Sequence, residues 1–195
     1  MNEDIRIYKT KIAIERAFIE LLQQHNFKDI TIKKICDQSL IGRSTFYSHY
    51  LDKYDLLEKV VKQYASDFKV EIGQRFNSTE DGKVANAIEL VTDNMIKNKL
   101  EISTLLTVHE VSADLRKEFE QILFRTCLDY LKQQNSSTSI ALEYLAELYA
   151  ANSMTSIQWV LKNGKDTNII LLLDQMQAYI FNQLKSDLYT YGLQE

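Results

Sequence analysis

The chain has 195 residues, of which 45% are hydrophobic and 26% charged, so it can bury a core and is not disordered. Its formal net charge of −4 argues against a protein that coats nucleic acid without sequence preference. The charge is uneven, because residues 1–62 carry 11 basic and 9 acidic side chains whereas residues 63–195 carry 12 and 18. A small local DNA-binding face remains possible, since a few phosphate contacts suffice to position a protein on DNA.

Exported, membrane-spanning and disulfide-rich classes are also disfavoured. The longest aliphatic run, residues 169–173, is far shorter than the ~20 apolar residues that span a bilayer, and no apolar secretory segment is visible near the N-terminus. Cys36 and Cys127 are the only cysteines, and we expect both to be packing thiols. We therefore expect a cytoplasmic protein without a disulfide, metal or cofactor.

The absence of proline and the presence of only five glycines predict an all-α fold, because few residues interrupt helical periodicity. Caps and apolar spacing predict about nine helices in chain order. They cover residues 5–24, 32–38, 43–50, 53 to about 72, 81 to about 98, 101–109, 111–134, 140–163 and 168 to about 189.

Residues 31–50 are the most informative segment, since they predict two short helices joined by a tight turn. Thr31 is a suitable N-cap for the first helix, because its hydroxyl can accept a hydrogen bond from a backbone N–H. Ile32, Ile35 and Cys36 fall on one side of this helix, so we expect them to pack inward.

The second helix of the pair follows residues 39–42, which interrupt the helical pattern. Phe46 and Tyr50 lie four residues apart and should anchor this helix to the core. The outward side chains offer hydrogen-bonding groups and no carboxylate: Arg43, Ser44, Thr45, Tyr47, Ser48 and His49. Such a face suits phosphates and base edges, and two helices joined in this way can place the second one in the DNA major groove.

A long helix follows, with Asp52 as its predicted cap and Asp55 completing a capping box. The polar segment 73–82 is the predicted boundary between residues 1–72 and residues 73–195. The last two predicted helices are apolar on more than one face, so each must bury more than one face. We interpret the extra face as a homodimer interface, and a two-fold dimer would present two reading helices to two DNA half-sites.

Together these features resemble the DNA-binding domain of the TetR/AcrR family of bacterial transcriptional regulators. The resemblance covers roughly residues 5–64. It is carried by Asn26-Phe27, Thr31-Ile32, the RSTFYSHY stretch at residues 43–50, and Lys53-Tyr54-Asp55-Leu56-Leu57. Residues 149–164, with Trp159 near their end, resemble the C-terminal region of a subgroup of these regulators. The sequence departs from the family pattern at four positions. The family often has Gly at the position of Leu40, Ser or Thr at that of Gly42, Gly at that of Ser44 and Pro at that of Leu51.

The resemblance implies DNA contacts for the reading helix. Arg43 is expected to bind a guanine edge or a phosphate. Ser44 and Thr45 are expected to contact phosphates, bases or a thymine methyl group. Tyr47 and His49 are expected to touch the DNA backbone or nearby bases.

Thr31 and Lys53 stand at helix N-termini, where the free N–H groups and the helix dipole attract anions. The resemblance therefore implies that both residues hold phosphates.

For the whole chain, the resemblance implies an all-α protein with an N-terminal three-helix helix-turn-helix domain and a C-terminal domain, residues 73–195, for effector binding and dimerisation. It implies a homodimeric repressor, located in the bacterial cytoplasm and on the nucleoid when DNA-bound, that a small-molecule effector releases from its operator. An activator, or an adaptor that responds to a protein instead of a small molecule, remains the alternative. An enzyme is disfavoured because the sequence has no phosphate-binding Gly-rich loop, HExxH, CxxC or Gly-x-Ser-x-Gly motif. His25 and His109 are expected to be surface or structural residues.

Overall fold

A computed structural model describes residues 2–77, 84–134 and 138–182, and within these ranges the fold is all-α, as predicted. The described residues form nine α-helices: α1 (Asn2–Gln24), α2 (Ile32–Ser39), α3 (Arg43–Tyr47), α4 (Lys53–Asn77), α5 (Val84–Lys97), α6 (Lys99–Leu105), α7 (Leu115–Gln133), α8 (Leu142–Asn163) and α9 (Thr167–Asn182). A 3₁₀ turn, Phe27–Asp29, precedes α2. The predicted start of the fifth helix at residue 81 and end of the ninth near residue 189 lie outside the described residues, as do residues 78–82 of segment 73–82, whereas residues 73–77 belong to α4.

The chain divides into two compact units. The first comprises residues 1–66 and 100–116, and the second comprises residues 67–99 and 117–195. Helix α4 contributes residues to both units.

Several helix boundaries differ from the sequence-based prediction: α6 covers Lys99–Leu105 instead of 101–109, and α4 continues to Asn77. Two further differences have local reasons. Helix α3 ends at Tyr47, because the N–H groups of His49 and Tyr50 both donate to the Phe46 carbonyl and tighten the chain into a turn. Helix α7 begins at Leu115 instead of residue 111. The backbones of Glu110 and Ala113 pair in both directions, at 3.4 and 3.2 Å, and hold the preceding residues in a tight loop.

The core of the first unit contains side chains from α1, α2, α3 and α4. It includes the fully buried Ile14, Phe18, Ile35, Phe46 and Leu57. Each of these is an aliphatic or aromatic side chain on a helical stripe, and fully burying one contributes about 1.5–3 kcal/mol. The short helices of the predicted pair are therefore held mainly by packing, because isolated helices of this length are marginal in water.

The core of the second unit is rich in aromatic rings. Phe68 and Phe119 stack with their ring centroids 4.0 Å apart. Phe76, Tyr130 and Phe181 form a second group, with centroid separations of 5.1–5.9 Å. Aromatic pairs at such separations stabilise a core beyond the effect of the area they bury.

Both cysteines are buried free thiols, as predicted. Burial raises the pKa of the Cys36 thiol, which keeps it protonated. Gly164 ends α8 with a φ of +89°, and its N–H donates to the Val160 carbonyl at 2.8 Å, which is typical of a glycine that follows a helix. None of the helices within the described ranges is long and apolar enough to cross a membrane.

Candidate nucleic-acid interface and apolar cavity

Thr31 caps α2 as the sequence predicts. Its backbone is extended, with φ −116° and ψ 155°, and its hydroxyl oxygen accepts a hydrogen bond of 3.3 Å from the Lys34 N–H. Ile35 and Cys36 are buried on the inner side of this helix, and Ile32 is half-buried. The side chain of Thr31 thus fixes where α2 begins and how its N-terminus is presented.

The turn between α2 and α3 contains Leu40 in the left-handed region, with φ +56° and ψ +37°. The N–H groups of Leu40 and Ile41 both point back to the Cys36 carbonyl, which closes the end of α2. A left-handed conformation costs a residue with a side chain roughly 1–2 kcal/mol. The side chain of Leu40 is 92% exposed, so burial does not offset this cost.

Helix α3 begins after Gly42, whose extended backbone supplies the cap without a side-chain hydrogen bond. Phe46 is fully buried, and Tyr50, just beyond the helix, is 2% exposed. The two rings lie 5.7 Å apart. Both predicted anchors are therefore confirmed, and they hold α3 with its opposite side outward.

The outward side of the reading segment carries the predicted polar residues. Arg43, Ser44 and Tyr47 are exposed, and Thr45 and His49 are half-buried. Within the described part of the chain, the side chain of Arg43 makes no hydrogen bond or ion pair, so its guanidinium is available to a ligand. These five residues share one short segment. The structure therefore brings them together as a surface that can donate to phosphates and base edges.

A lysine on α4 supports the turn behind this surface. The Lys59 ammonium donates to the His49 carbonyl at 3.2 Å and to the Asp55 carboxylate at 2.9 Å, and lies 5.2 Å from the centre of the Tyr50 ring. These contacts fix the backbone that follows α3.

The start of α4 is capped by two carboxylates. Asp52 accepts from the N–H groups of Tyr54 and Asp55 at 2.8 and 2.9 Å, so the predicted cap is confirmed. Asp55 reaches back to the N–H of Leu51, at 2.9 Å, and not to that of Asp52 as in a regular capping box. Burial alone would raise the pKa of the Asp55 carboxyl, but hydrogen bonds from Lys59 and Leu51 outweigh it and lower that pKa.

Lys53 has partners within its own chain that its position in the sequence does not reveal. Its ammonium donates to three backbone carbonyls, those of Phe27 at 2.9 Å, Lys28 at 3.1 Å and Ile30 at 2.9 Å. An ammonium has three N–H donors, and all three are used within the first unit. The side chain therefore lacks a donor for a phosphate. Sequence reasoning missed this role, because the acceptors lie more than twenty residues earlier in the chain.

The second unit contains an apolar cavity of about 40 Å³, which has room for a few water molecules. None of the described residues that line the cavity is charged. Its apolar wall includes Ile72, Val91, Met95, Leu123, Val160 and Leu173. Its polar groups include Thr92, Ser153, Ser156 and Gln177.

Gln177 and Ser153 are the main polar pair of this cavity. Gln177 is fully buried, and its amide donates to the Ser153 hydroxyl at 2.9 Å. The sequence did not single out either residue, although a glutamine and a serine among the apolar positions of α9 and α8 were the available signal. Within the described ranges, no group of three or more His, Cys, Asp or Glu side chains is placed to hold a metal ion.

The last two helices expose large apolar side chains. Trp159 on α8 is 49% exposed. On α9, Leu172 is 52% exposed and Tyr179 is 68% exposed. Tyr144, Leu148, Leu171 and Met176 are also exposed on these helices. Large exposed apolar patches commonly mark interaction sites.

Comparisons with known proteins point to one class. No protein-family model matches the chain. An uncharacterised HTH-type transcriptional regulator, YxbF of Bacillus subtilis, is 34% identical over 65 residues, which are 33% of this chain but only 17% of that protein. The chain thus spans a small part of this relative's length.

Solved structures resemble the chain over nearly its whole length. A putative TetR-family regulator from Syntrophomonas wolfei has a TM-score of 0.69 at 16% identity, covering 94% of this chain and 98% of that one. NalD, the secondary repressor of the MexAB-OprM multidrug efflux pump in Pseudomonas aeruginosa, has a TM-score of 0.67 at 15% identity, covering 95% and 100%. SmeT in complex with triclosan has a TM-score of 0.66 at 15% identity, covering 88% and 91%.

These neighbours are transcriptional regulators. At these low sequence identities, the shared helical architecture establishes the fold alone. The chain therefore has the fold of the TetR-family transcriptional regulators, as the motifs of residues 5–64 predicted.

Proposed function

We propose that this protein is a sequence-specific, DNA-binding transcriptional regulator that places α3 in the major groove of its operator. The observation that carries the proposal is the anchoring of α3. Phe46 and Tyr50 hold the inner side, while Arg43, Ser44 and Tyr47 face outward. This surface combines hydrogen-bond donors with an aromatic ring and has no carboxylate to repel phosphates.

In this proposal Arg43 makes base or phosphate contacts at the start of the reading helix, and Ser44 and Thr45 contact phosphates, bases or a thymine methyl group. Tyr47 and His49 contact the backbone or nearby bases. The N-terminus of α2, capped by Thr31, faces a phosphate. The side chain of Lys53 is left out of this set, because its ammonium is occupied.

The test is fluorescence anisotropy with duplexes that tile the DNA upstream of the protein's own gene, at two salt concentrations. We expect tight binding to one tile, weakened by salt and by Arg43→Ala or Tyr47→Ala. Lys132→Ala is the matched control, because Lys132 is an exposed basic residue in the second unit. No preference for any tile, or equal losses in all three variants, would contradict operator reading by α3.

We further propose that the protein acts as a homodimer through α8 and α9. The exposed apolar side chains of these helices support this, since a second copy would cover them. A two-fold dimer would present two α3 helices to half-sites about one DNA turn, ~34 Å, apart.

The cavity in the second unit supports the proposal that the protein binds a small-molecule effector. We propose that this effector releases the protein from its operator, so that the protein acts as a repressor. Its apolar wall and few uncharged polar groups are typical of ligand sites. At about 40 Å³ the cavity must open to admit a drug-sized compound. An effector that favours the open form would shift the population toward a different spacing of the reading helices, and α4, which contributes to both units, would carry that change.

This mechanism is tested by adding apolar compounds, with triclosan as the first probe because SmeT has been solved with it, to the protein–operator complex. Lower operator affinity would support an effector-released repressor in the bacterial cytoplasm. If an added compound instead raises operator affinity or transcription, the activator alternative gains. If no compound changes affinity but a partner protein does, the adaptor alternative gains.

A further inference from the structure

We propose that Lys53 is a positioning residue that locks the 3₁₀ turn before α2 onto the first turn of α4, and that operator reading depends on this lock. The inference rests on the proposed DNA-binding function. It replaces the phosphate contact that the position in the sequence implies. The lock joins Lys53 to a segment that lies 23 to 26 residues earlier.

The Lys53 ammonium uses all of its N–H donors within its own chain. Its three N–H groups meet the carbonyls of Phe27, Lys28 and Ile30 at 2.9, 3.1 and 2.9 Å. Hydrogen bonds from a charged donor are stronger than those between neutral groups. A phosphate could recruit this ammonium only by taking it away from at least one carbonyl.

Two aromatic rings also lie around the Lys53 ammonium. The Lys53 nitrogen lies 4.6 Å from the centre of the Phe27 ring and 5.5 Å from that of Tyr54. The two rings meet edge to face with their centroids 5.1 Å apart. Rings at such distances attract a cation and restrict its movement. The side chain is therefore held from the sides as well as from its tip.

The locked turn controls the start of α2. Ile30, one of the three acceptors, immediately precedes Thr31, the N-cap of α2. The carbonyl ends of the turn therefore set the position from which α2 starts, and α2 leads through Leu40 into α3. Removing Lys53 takes one donor from each of the three carbonyls, of which that of Phe27 keeps the Ile30 N–H at 3.2 Å. The start of α2 is then freed. Helices α2 and α3 would then lose their fixed placement relative to the first turn of α4.

Two substitutions separate this role from phosphate binding. Lys53→Arg keeps the charge, but a planar guanidinium cannot reproduce three donors that converge from one nitrogen. Lys53→Met removes the charge and keeps much of the chain length. Lys28→Met is the matched control, because it removes the same charge from the same turn while the Lys28 backbone carbonyl stays in place. Val60→Ala, a substitution at a buried α4 residue, controls for stability loss alone.

The measurements are melting temperature, operator affinity and the dependence of affinity on salt. For Lys53→Arg and Lys53→Met we expect the melting temperature to fall by roughly 2–4 °C and operator affinity to fall roughly tenfold, the effect of losing one well-placed base contact. Lys53→Met should have the same non-specific DNA affinity and salt slope as the Lys28→Met control. Lys53→Arg should have the same non-specific DNA affinity and salt slope as the wild type. Val60→Ala should lower the melting temperature but leave operator affinity unchanged.

Full operator affinity in Lys53→Arg, or a salt slope in Lys53→Met reduced by about 0.9 per lost contact relative to Lys28→Met, would overturn the proposal in favour of a phosphate ligand. If the wild type binds no duplex, the proposed function fails separately. The lock is then judged by the melting temperatures, and equal values for Lys53→Met and Lys28→Met would overturn it.

Discussion

The phenol of Tyr50 donates a hydrogen bond of 2.9 Å to the carboxylate of Glu15, which joins the residues after α3 to α1 across 35 positions of the chain. Burial, with the nearby Glu15 carboxylate, raises the pKa of Tyr50, so the phenol stays protonated and remains a donor. The segment that follows α3 is therefore held by a polar contact as well as by packing.

Tyr50→Phe should lower the free energy of unfolding by about 1 kcal/mol, because the ring stays in place while one hydrogen bond is lost. Tyr50→Ala should cost about 3–5 kcal/mol through lost packing. Urea unfolding of the two variants beside the wild type measures both values. Equal losses would mean that the hydrogen bond, and not the ring, holds this residue.

Leu40→Gly should raise the free energy of unfolding by about 1 kcal/mol, because glycine adopts the left-handed conformation without the steric cost that Leu40 bears. The control is Leu51→Gly, a change at another exposed leucine that has no positive φ. It should not stabilise the protein. Thermal melts of both variants provide the comparison, and a destabilised Leu40→Gly would show that the leucine side chain contributes more than its exposure indicates.

The capping carboxylate of Asp55 should make the start of α4 sensitive to acid. Its pKa is lowered in the folded protein, so its contribution is present above the ordinary value of 3.8 and is lost as the pH falls through the folded value. Asp55→Asn should therefore be less stable than the wild type at pH 7, and the difference should shrink toward pH 3. Unfolding measured at both pH values checks this, and a difference that grows on acidification would refute the assignment.

Leu172→Glu should convert the proposed dimer into monomers, because it places a charge on an apolar surface that the second copy would cover. Operator affinity should fall with it, since one half-site contact is lost. Light scattering after size-exclusion chromatography measures the mass. Lys132→Glu, at an exposed position on α7, is the control and should leave the mass unchanged. A wild type that is already monomeric would remove the basis of this prediction.

The sequence by itself determined which segments are helical, and it singled out residues 31–50 as the segment to which the proposed function assigns operator reading. Caps such as Thr31 and Asp52, and the four-residue spacing of Phe46 and Tyr50, act between close neighbours in the chain. Their physical chemistry is therefore visible in a short window. The same holds for Gly164, because a glycine after a helical stripe predicts where that stripe ends.

Only the tertiary structure decided the role of Lys53, because its acceptors are carbonyls that packing brings from a distant segment. A lysine at a helix start looks the same in sequence whether it faces a phosphate or a turn of its own chain. The cavity pair Ser153 and Gln177 needed the fold for the same reason, since its members come from different helices. Local propensity is encoded between neighbours, whereas a buried polar partner is selected by which helices come to lie side by side.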